Sequence, residues 1–222
     1  MGEGDAARLD RKAGDLVEPA ATVVEVVAPE PYVSRGGHKL AAALDAFGIE
    51  PRDRVCLDVG ASTGGFSDVL LQRGATRVYA LDVGRGQLAE VLRRDPRVIS
   101  MERVNARDLR ADSLPELVSL ATVDVSFISL RLVLGPIATA FDRGRGGDLV
   151  VLVKPQFEAG RGETKGGVVR DPVVHARVVG EIRAHAIELG LEPRGEIVSP
   201  ILGPEGNREF LLAFAVPAPV AA

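Results

Sequence analysis

Cysteine occurs once in the 222 residues, tryptophan not at all, and aromatic residues make up 4% of the chain. A single cysteine cannot close an intramolecular disulfide, which fits a reducing compartment such as the cytoplasm. Cys56 stands inside Arg54-Val55-Cys56-Leu57-Asp58, a run with the look of a buried strand, and reads as a small core residue rather than a reactive thiol. No apolar run approaches the roughly 18 residues of a membrane helix. Met1 to Asp10 are polar and acidic rather than basic then apolar. Neither a transmembrane span nor a secretory signal is therefore expected. His38, His175 and His185 are scattered without Cys/His partners at ligand spacing, so no metal is expected, and His175 and His185 are expected at the surface or rim. A basic excess is missing too. The formal charge of −4 does not favour nucleic-acid binding, but arginine clusters locally around 35–39, 93–97, 143–145 and 161–170, and a local patch is what matters.

What is present is a chain that is 46% hydrophobic and long enough for one domain with a full core. Residues 1–14 are charged and small and are expected to be disordered. Val23-Val24-Glu25-Val26-Val27 alternates weakly, and Pro29 and Pro31 mark a linker. Ser34 is a candidate N-cap for a helix running to Phe47, with Leu40, Leu44 and Phe47 at helical spacing and Gly48 as the stop. Apolar strands are expected at Arg54–Val59, Arg77–Asp82, Val98–Met101, Leu120–Val125, Leu149–Val153, Arg194–Val198 and Glu209–Val216. Helices are expected at Gly65–Arg73, Gln87–Arg94, Leu130–Phe141 and Pro172–Leu189, a turn at Gly144–Gly147, and a mobile loop at Ala159–Gly167. Continuous apolar strands separated by helices indicate a parallel sheet covered on both faces.

Ligands of such sheets bind at the carboxyl ends of the strands, and the conspicuous residues gather there. Asp58-Val59-Gly60-Ala61-Ser62-Thr63-Gly64-Gly65-Phe66 joins a strand to a helix. Its glycines let the backbone approach a ligand closely, and the helix N-terminus favours a carboxylate. Asp82 ends the next strand and can accept hydrogen bonds from two ribose hydroxyls; Asn105 opens a turn after the third, where an adenine would lie. The dinucleotide pattern fits only in part, because Ser62 replaces the central glycine. The motif instead resembles motif I of class I methyltransferases that use S-adenosylmethionine, in which Asp58 would orient the methionine end and Asp82 the ribose. Asp124 and Lys154 each end a middle strand and can point into one crevice. A lysine there, tuned by a second cation and braced by carboxylates, can act as a positioned base on a hydroxyl.

Tyr32-Val33-Ser34-Arg35-Gly36-Gly37-His38-Lys39-Leu40, Asp124-Val125-Ser126-Phe127-Ile128-Ser129-Leu130, Lys154-Pro155-Gln156-Phe157-Glu158 and Gly166-Gly167-Val168-Val169-Arg170-Asp171 together resemble the TlyA family. That family consists of ribosomal RNA 2′-O-methyltransferases often labelled haemolysins, with an FtsJ-type catalytic domain. The resemblance covers residues 20–216. It implies an α/β, Rossmann-like class I methyltransferase with a seven-stranded sheet whose last strand is antiparallel. It implies S-adenosylmethionine as cofactor and a cytidine of ribosomal RNA, presented in a subunit, as substrate. It also implies a Lys-Asp-Lys-Glu tetrad at Lys39, Asp124, Lys154 and Glu209. Lys154 would deprotonate the ribose hydroxyl, Lys39 would assist that loss of a proton and steer substrate, and the two carboxylates would orient the amines. Residues 32–217 form the catalytic domain on this reading. Residues 1–31 hold a tail and the remnant of an S4-type RNA-binding domain, whose final hairpin Arg11 to Val27 resembles; 218–222 form a tail.

Each of these residues has a plainer reading. Lys39 is by default an exposed helical lysine, and Glu209 can merely pair with Arg208 at the sheet edge. Arg161, Lys165 and Arg170 are either a solvated loop or a phosphate-contacting lid over RNA, with Arg35 and His38 as further RNA candidates. Phe127 and Phe157 stand between core packing and stacking on a flipped base. Methylation of another RNA or a small molecule, an RNA-binding protein without turnover, and a membrane-active haemolysin are the rival functions. The absence of an amphipathic or apolar membrane segment argues against the last.

Overall fold

A computed structural model describes residues 30–142, 144–160 and 162–218. The expected remnant hairpin over 11–27 and most of the C-terminal tail lie outside the described residues. A helix α1 (Gly36–Phe47) precedes alternating strands and helices: β1 (Val55–Val59), α2 (Gly65–Gln72), β2 (Arg77–Asp82), α3 (Glu90–Arg93), β3 (Val98–Glu102), β4 (Leu120–Val123), α4 (Leu134–Ala138) and β5 (Gly147–Val153). The short α5 (Pro155–Glu158), the long α6 (Pro172–Glu188), β6 (Glu192–Val198) and β7 (Phe210–Val216) complete the chain.

The strands form one seven-stranded sheet in the order β3-β2-β1-β4-β5-β7-β6, with β7 antiparallel to both of its neighbours. Alternation along each strand sends neighbouring residues to opposite faces. Leu57 and Val59 of β1, with Leu212 and Phe214 of β7, meet Val178 and Ile182 of α6 on one face. Cys56, Leu211 and Ala213 meet Leu40 and Leu44 of α1 and Leu70 of α2 on the other. Cys56 is thus the core residue its strand context implies. The sheet order reverses between β1 and β4, and the crevice above their carboxyl ends is where an open α/β sheet receives a ligand.

Several elements depart from their expected form. Ser34 does not cap α1: Arg35 holds the N-cap position without a side-chain bond, and Ser34 supplies its carbonyl to the Gly37 N–H at 3.0 Å. The helix expected over 130–141 is broken into a 3₁₀ turn at Leu130–Leu132 and the short α4, where Pro136 has no N–H to donate. The helix expected over 87–94 contracts to α3, because residues 83–88 turn back toward the loop after β1. His175 is buried at 7% exposure rather than lying at the rim, and its Nε2 sits 2.9 Å from the Val169 carbonyl oxygen.

Candidate active site

The loop after β1 is held by its neighbours. The N–H groups of Gly60 and Ala61 both donate to the Leu81 carbonyl, at 2.8 and 3.1 Å. Gly60 has φ of 83°, and a Cβ there would lie 2.3 Å from the Asp124 carbonyl oxygen. Glycine is therefore required for β1 and β4 to end side by side. A Cβ at Gly64 would meet Leu92 Cδ1 at 2.2 Å, and one at Gly65 would meet Ser34 Oγ at 2.2 Å. The space a side chain would need at these glycines is thus taken by protein.

Asp82 closes the loop from β2. Its Oδ2 accepts from the Ser62 N–H at 2.8 Å and its Oδ1 from the Gly84 N–H at 2.6 Å. The carboxylate remains partly exposed in a concavity lined by Ala61, Ser62, Gly84, Gln87 and Leu88, with unused lone pairs for further donors. Val83 beside it is 73% exposed. Asn105 caps the 3₁₀ turn after β3 and accepts from the Arg107 N–H at 3.1 Å. Phe66 is corrected from a ligand residue to a core one: its side chain is 4% exposed and packs among the α2 core.

Asp58 is also corrected. It is fully buried, accepting Ser67 Oγ–H on Oδ2 at 2.7 Å and Thr122 Oγ1–H on Oδ1 at 3.1 Å. It ties β1 to α2 and β4 beneath the loop and presents nothing to a ligand. Burial pushes its carboxyl up to about 7, against the two hydroxyl hydrogen bonds and with the charge of Asp124 adding to the rise. The folded state therefore holds this proton more tightly than the unfolded chain. Its contribution to stability is complete below about pH 4 and is lost as pH rises to about 7. Asp58→Asn removes the ionisation while keeping an acceptor and a donor for the two hydroxyls. Thermal melts at pH 5 and pH 8 should show the variant less pH-sensitive, and more stable at pH 8 by an amount on the order of 4 kcal/mol.

The four tetrad candidates form two ion pairs. Lys154 follows β5, and its Nζ lies 2.5 Å from Asp124 Oδ1 beyond β4, while donating to Ser126 Oγ at 2.8 Å. The Asp124 contact is an ion pair without hydrogen-bond alignment. Lys39 Nζ on α1 donates to Glu209 Oε2 at 2.5 Å, and both side chains are buried. The register pairs Val153 with Phe210, so the next residues outward on β5 and β7 are Lys154 and Glu209. The two pairs therefore stand at neighbouring strand ends. Glu209 does not pair with Arg208; its second oxygen, Oε1, is buried without a hydrogen-bond partner. Gly203 closes over that carboxylate, where a Cβ would lie 2.1 Å from Oε1.

Of the RNA candidates, Arg161 lies outside the described residues. Arg35, Lys165 and Arg170 are exposed. His38 Nε2 is 2.9 Å from Glu30 Oε2 and its ring stacks edge-on against Tyr32. Among the described residues no cluster of His, Cys, Asp or Glu could hold a metal, and no helix is long and apolar enough to cross a membrane. Phe127 is 90% exposed with φ of 62°, its ring 4.9 Å from that of Phe157, which settles it outside the core. Three further residues matter that the sequence pattern does not single out. Ser126 holds Lys154. Glu158, raised by burial, accepts Ser129 Oγ–H at 2.6 Å and the Leu130 N–H at 2.7 Å, fixing the loop that carries Phe127. Asn207 accepts the Val169 N–H at 3.2 Å and donates to the Gly167 carbonyl at 3.0 Å, so the 165–170 loop is fastened to the turn before Glu209. Asn207 stands two places before Glu209, a spacing that places both on one side of an extended chain and is the one sequence signal for it.

The sequence profile of a family described as FtsJ-like methyltransferase matches residues 32–216. The 16S/23S rRNA (cytidine-2′-O)-methyltransferase TlyA of Mycobacterium tuberculosis is 48% identical over 204 residues, 88% of this chain and 75% of that protein. Hemolysin A of Brachyspira hyodysenteriae is 43% identical over 195 residues, 87% of this chain and 80% of that protein. A solved structure from Streptococcus thermophilus that carries a hemolysin name superposes with a TM-score of 0.82 at 46% identity, covering 86% of this chain and 69% of that one. The N-methyltransferase NodS of Bradyrhizobium japonicum, in complex with S-adenosyl-L-homocysteine, shares the fold at a TM-score of 0.57 and 16% identity, covering 82% of this chain and 87% of that one.

Proposed function

The chain belongs to the FtsJ-like methyltransferase family, and on that premise we propose that it methylates a ribose 2′-oxygen of ribosomal RNA, at a cytidine of the small or large subunit. Its fold is the Rossmann-like class I methyltransferase fold. The observation that carries the reading is the pair of lysine–carboxylate contacts at adjacent strand ends, beside the loop that Asp82 closes. S-adenosylmethionine supplies the electrophilic methyl group when bound. The residues present suit it: a partly exposed carboxylate at Asp82 for a diol, Val83 and Asn105 beside it for a base, and the Gly60–Gly65 loop for the amino-acid end.

In its neutral form, reached by loss of one ammonium proton, Lys154 Nζ takes up the hydroxyl proton while the methyl carbon exchanges its bond to sulfur for one to the ribose oxygen. Asp124 and Ser126 hold the amine in place, which lowers the cost of orienting it. Lys39, held by Glu209 at the neighbouring strand end, fixes the α1 side of the same crevice. No covalent enzyme intermediate is required. Ribosomal subunits place this reaction in the cytoplasm.

Transfer of a labelled methyl group to undermethylated ribosomal subunits tests the reading. Label in the RNA at 2′-O-methylcytidine supports it, whereas label only in short RNA or in a metabolite would replace the substrate. Phe127, exposed and in a strained backbone conformation, offers a stacking platform for the target base. Phe127→Ala is expected to raise KM for subunits by about tenfold or more while leaving S-adenosylmethionine affinity unchanged, as measured by calorimetry.

A further inference from the structure

The net charge of −4 hides a segregation of cations between the two edges of the sheet. Where strands begin, arginines are paired: Arg54 and Arg194 with Asp148, Arg77 with Glu116, Arg97 with Asp95, and the exposed Arg145 more loosely with Asp142 at 3.8 Å. Where strands end, arginines stand without a carboxylate within 4.0 Å among the described residues: Arg85 after β2, Arg103 and Arg107 after β3, and Arg208 before the reversed β7. All four are exposed. There are exceptions at both edges, among them Arg177 near the start of α6, which pairs with Glu163 and Glu181. Arg131 follows β4 and pairs with Glu181 at 2.6 Å; Arg52 precedes β1 and has no such partner.

Arg85 and Arg103 are brought together by hydrogen bonds between their loops, one to a backbone carbonyl and one to a carboxylate. The Arg103 N–H donates to the Gly84 carbonyl at 3.2 Å, and the Gly86 N–H to Glu102 Oε1 at 2.8 Å. Arg103 adopts φ of 59°, a conformation that side chains other than glycine rarely take. Nothing in its packing demands an arginine there, since its side chain is exposed. Arg107 follows on the 3₁₀ turn that Asn105 caps. Asp108 and Asp112 follow these arginines in the chain without pairing to them, so the stretch offers discrete guanidinium contacts rather than a uniform positive field.

We infer that Arg85, Arg103 and Arg107 form a second phosphate-contacting arm, on the β2–β3 side of the site. The RNA backbone would then cross the whole strand-end edge, from Lys165 and Arg170 on one flank to these arginines on the other. This rests on the proposed RNA substrate and extends it: the substrate is recognised over a track far wider than the acceptor nucleotide. Unpaired guanidinium groups suit this task because each can grip a phosphate bidentately without first breaking an internal ion pair.

The test is binding of the full chain to undermethylated subunits across a series of KCl concentrations. It compares the unaltered protein, the triple variant R85A/R103A/R107A, and a control R93A/R94A that removes arginines paired with Glu90. Each lost phosphate contact on single-stranded RNA reduces the slope of log K against log salt by about 0.7. The triple variant is expected to lose about 2 from the slope, and about tenfold or more in affinity near physiological salt, while melting like the unaltered protein. The control should match the unaltered protein in both. An unchanged slope in the triple variant overturns the arm while leaving the methyltransferase reading intact. Absence of salt-dependent binding by the unaltered protein overturns both.

Discussion

Lys154→Ala is expected to reduce methyl transfer to ribosomal subunits by about a thousandfold, with S-adenosylmethionine affinity retained. The lysine is 9% exposed, its amine is 2.5 Å from Asp124 and 2.8 Å from Ser126, and no other amine approaches that carboxylate within 4.0 Å among the described residues. Alanine removes the amine and leaves Asp124, which is 22% exposed and can be reached by water, so the fold should survive. The informative companion is Lys154→Arg. Arginine restores the positive charge and the contact with Asp124 but does not give up its proton in a protein. If Lys154 acts as a base, arginine should be as inactive as alanine. If it acts only as a charge that draws RNA to the site, arginine should recover most of the activity. Single-turnover rates of methyl transfer with saturating subunits separate the two, because they exclude substrate affinity and product release.

Lys154 and Asp124 also mark how much of the site is legible in the residue pattern alone. The parallel sheet is legible because apolar runs alternate with helical segments, and Asp82, Asp124 and Lys154 are legible because each ends such a run. Burial is not legible. Lys39 has the sequence context of any exposed helical lysine, and only the fold turns it inward, to 7% exposure, against a carboxylate 170 residues away. Asp58 illustrates the opposite error. Its place in the motif suggests a ligand contact, but alternation along β1 carries it under the loop to Ser67 and Thr122, partners on two other elements that no local pattern predicts. The glycines of the loop meet a packing requirement that the pattern alone does not reveal. Glycine marks close approach of backbone to something, and here that something is Asp124, Leu92 and Ser34. Helix lengths are least legible where tertiary contacts compete with propensity, as in 87–94, where Gln87 turns to receive the Ser62 hydroxyl.

Glu209→Ala is expected to damage both stability and activity, and the two effects can be pulled apart. Glu209 is fully buried and its partner Lys39 is nearly so, which means alanine leaves an ammonium in the interior with no counter-charge. Breaking a buried pair from one side costs about 3–5 kcal/mol. In a domain of this size that lowers Tm by roughly 10 °C. Glu209→Gln keeps an oxygen for the Lys39 amine and should melt higher than alanine. It should still lose activity, because Lys39 then meets a neutral amide in place of a carboxylate. The decisive variant removes both charges with apolar side chains of similar length, Lys39→Met with Glu209→Leu. With no ion left to desolvate, its Tm should return toward that of the unaltered protein. Methyl transfer should remain at the level of the worse single variant. Recovery of Tm without activity assigns the pair to chemistry at the strand ends rather than to the core. Recovery of both would reduce Lys39 and Glu209 to a structural tie between α1 and β7 and leave Lys154 with Asp124 as the whole of the reacting site.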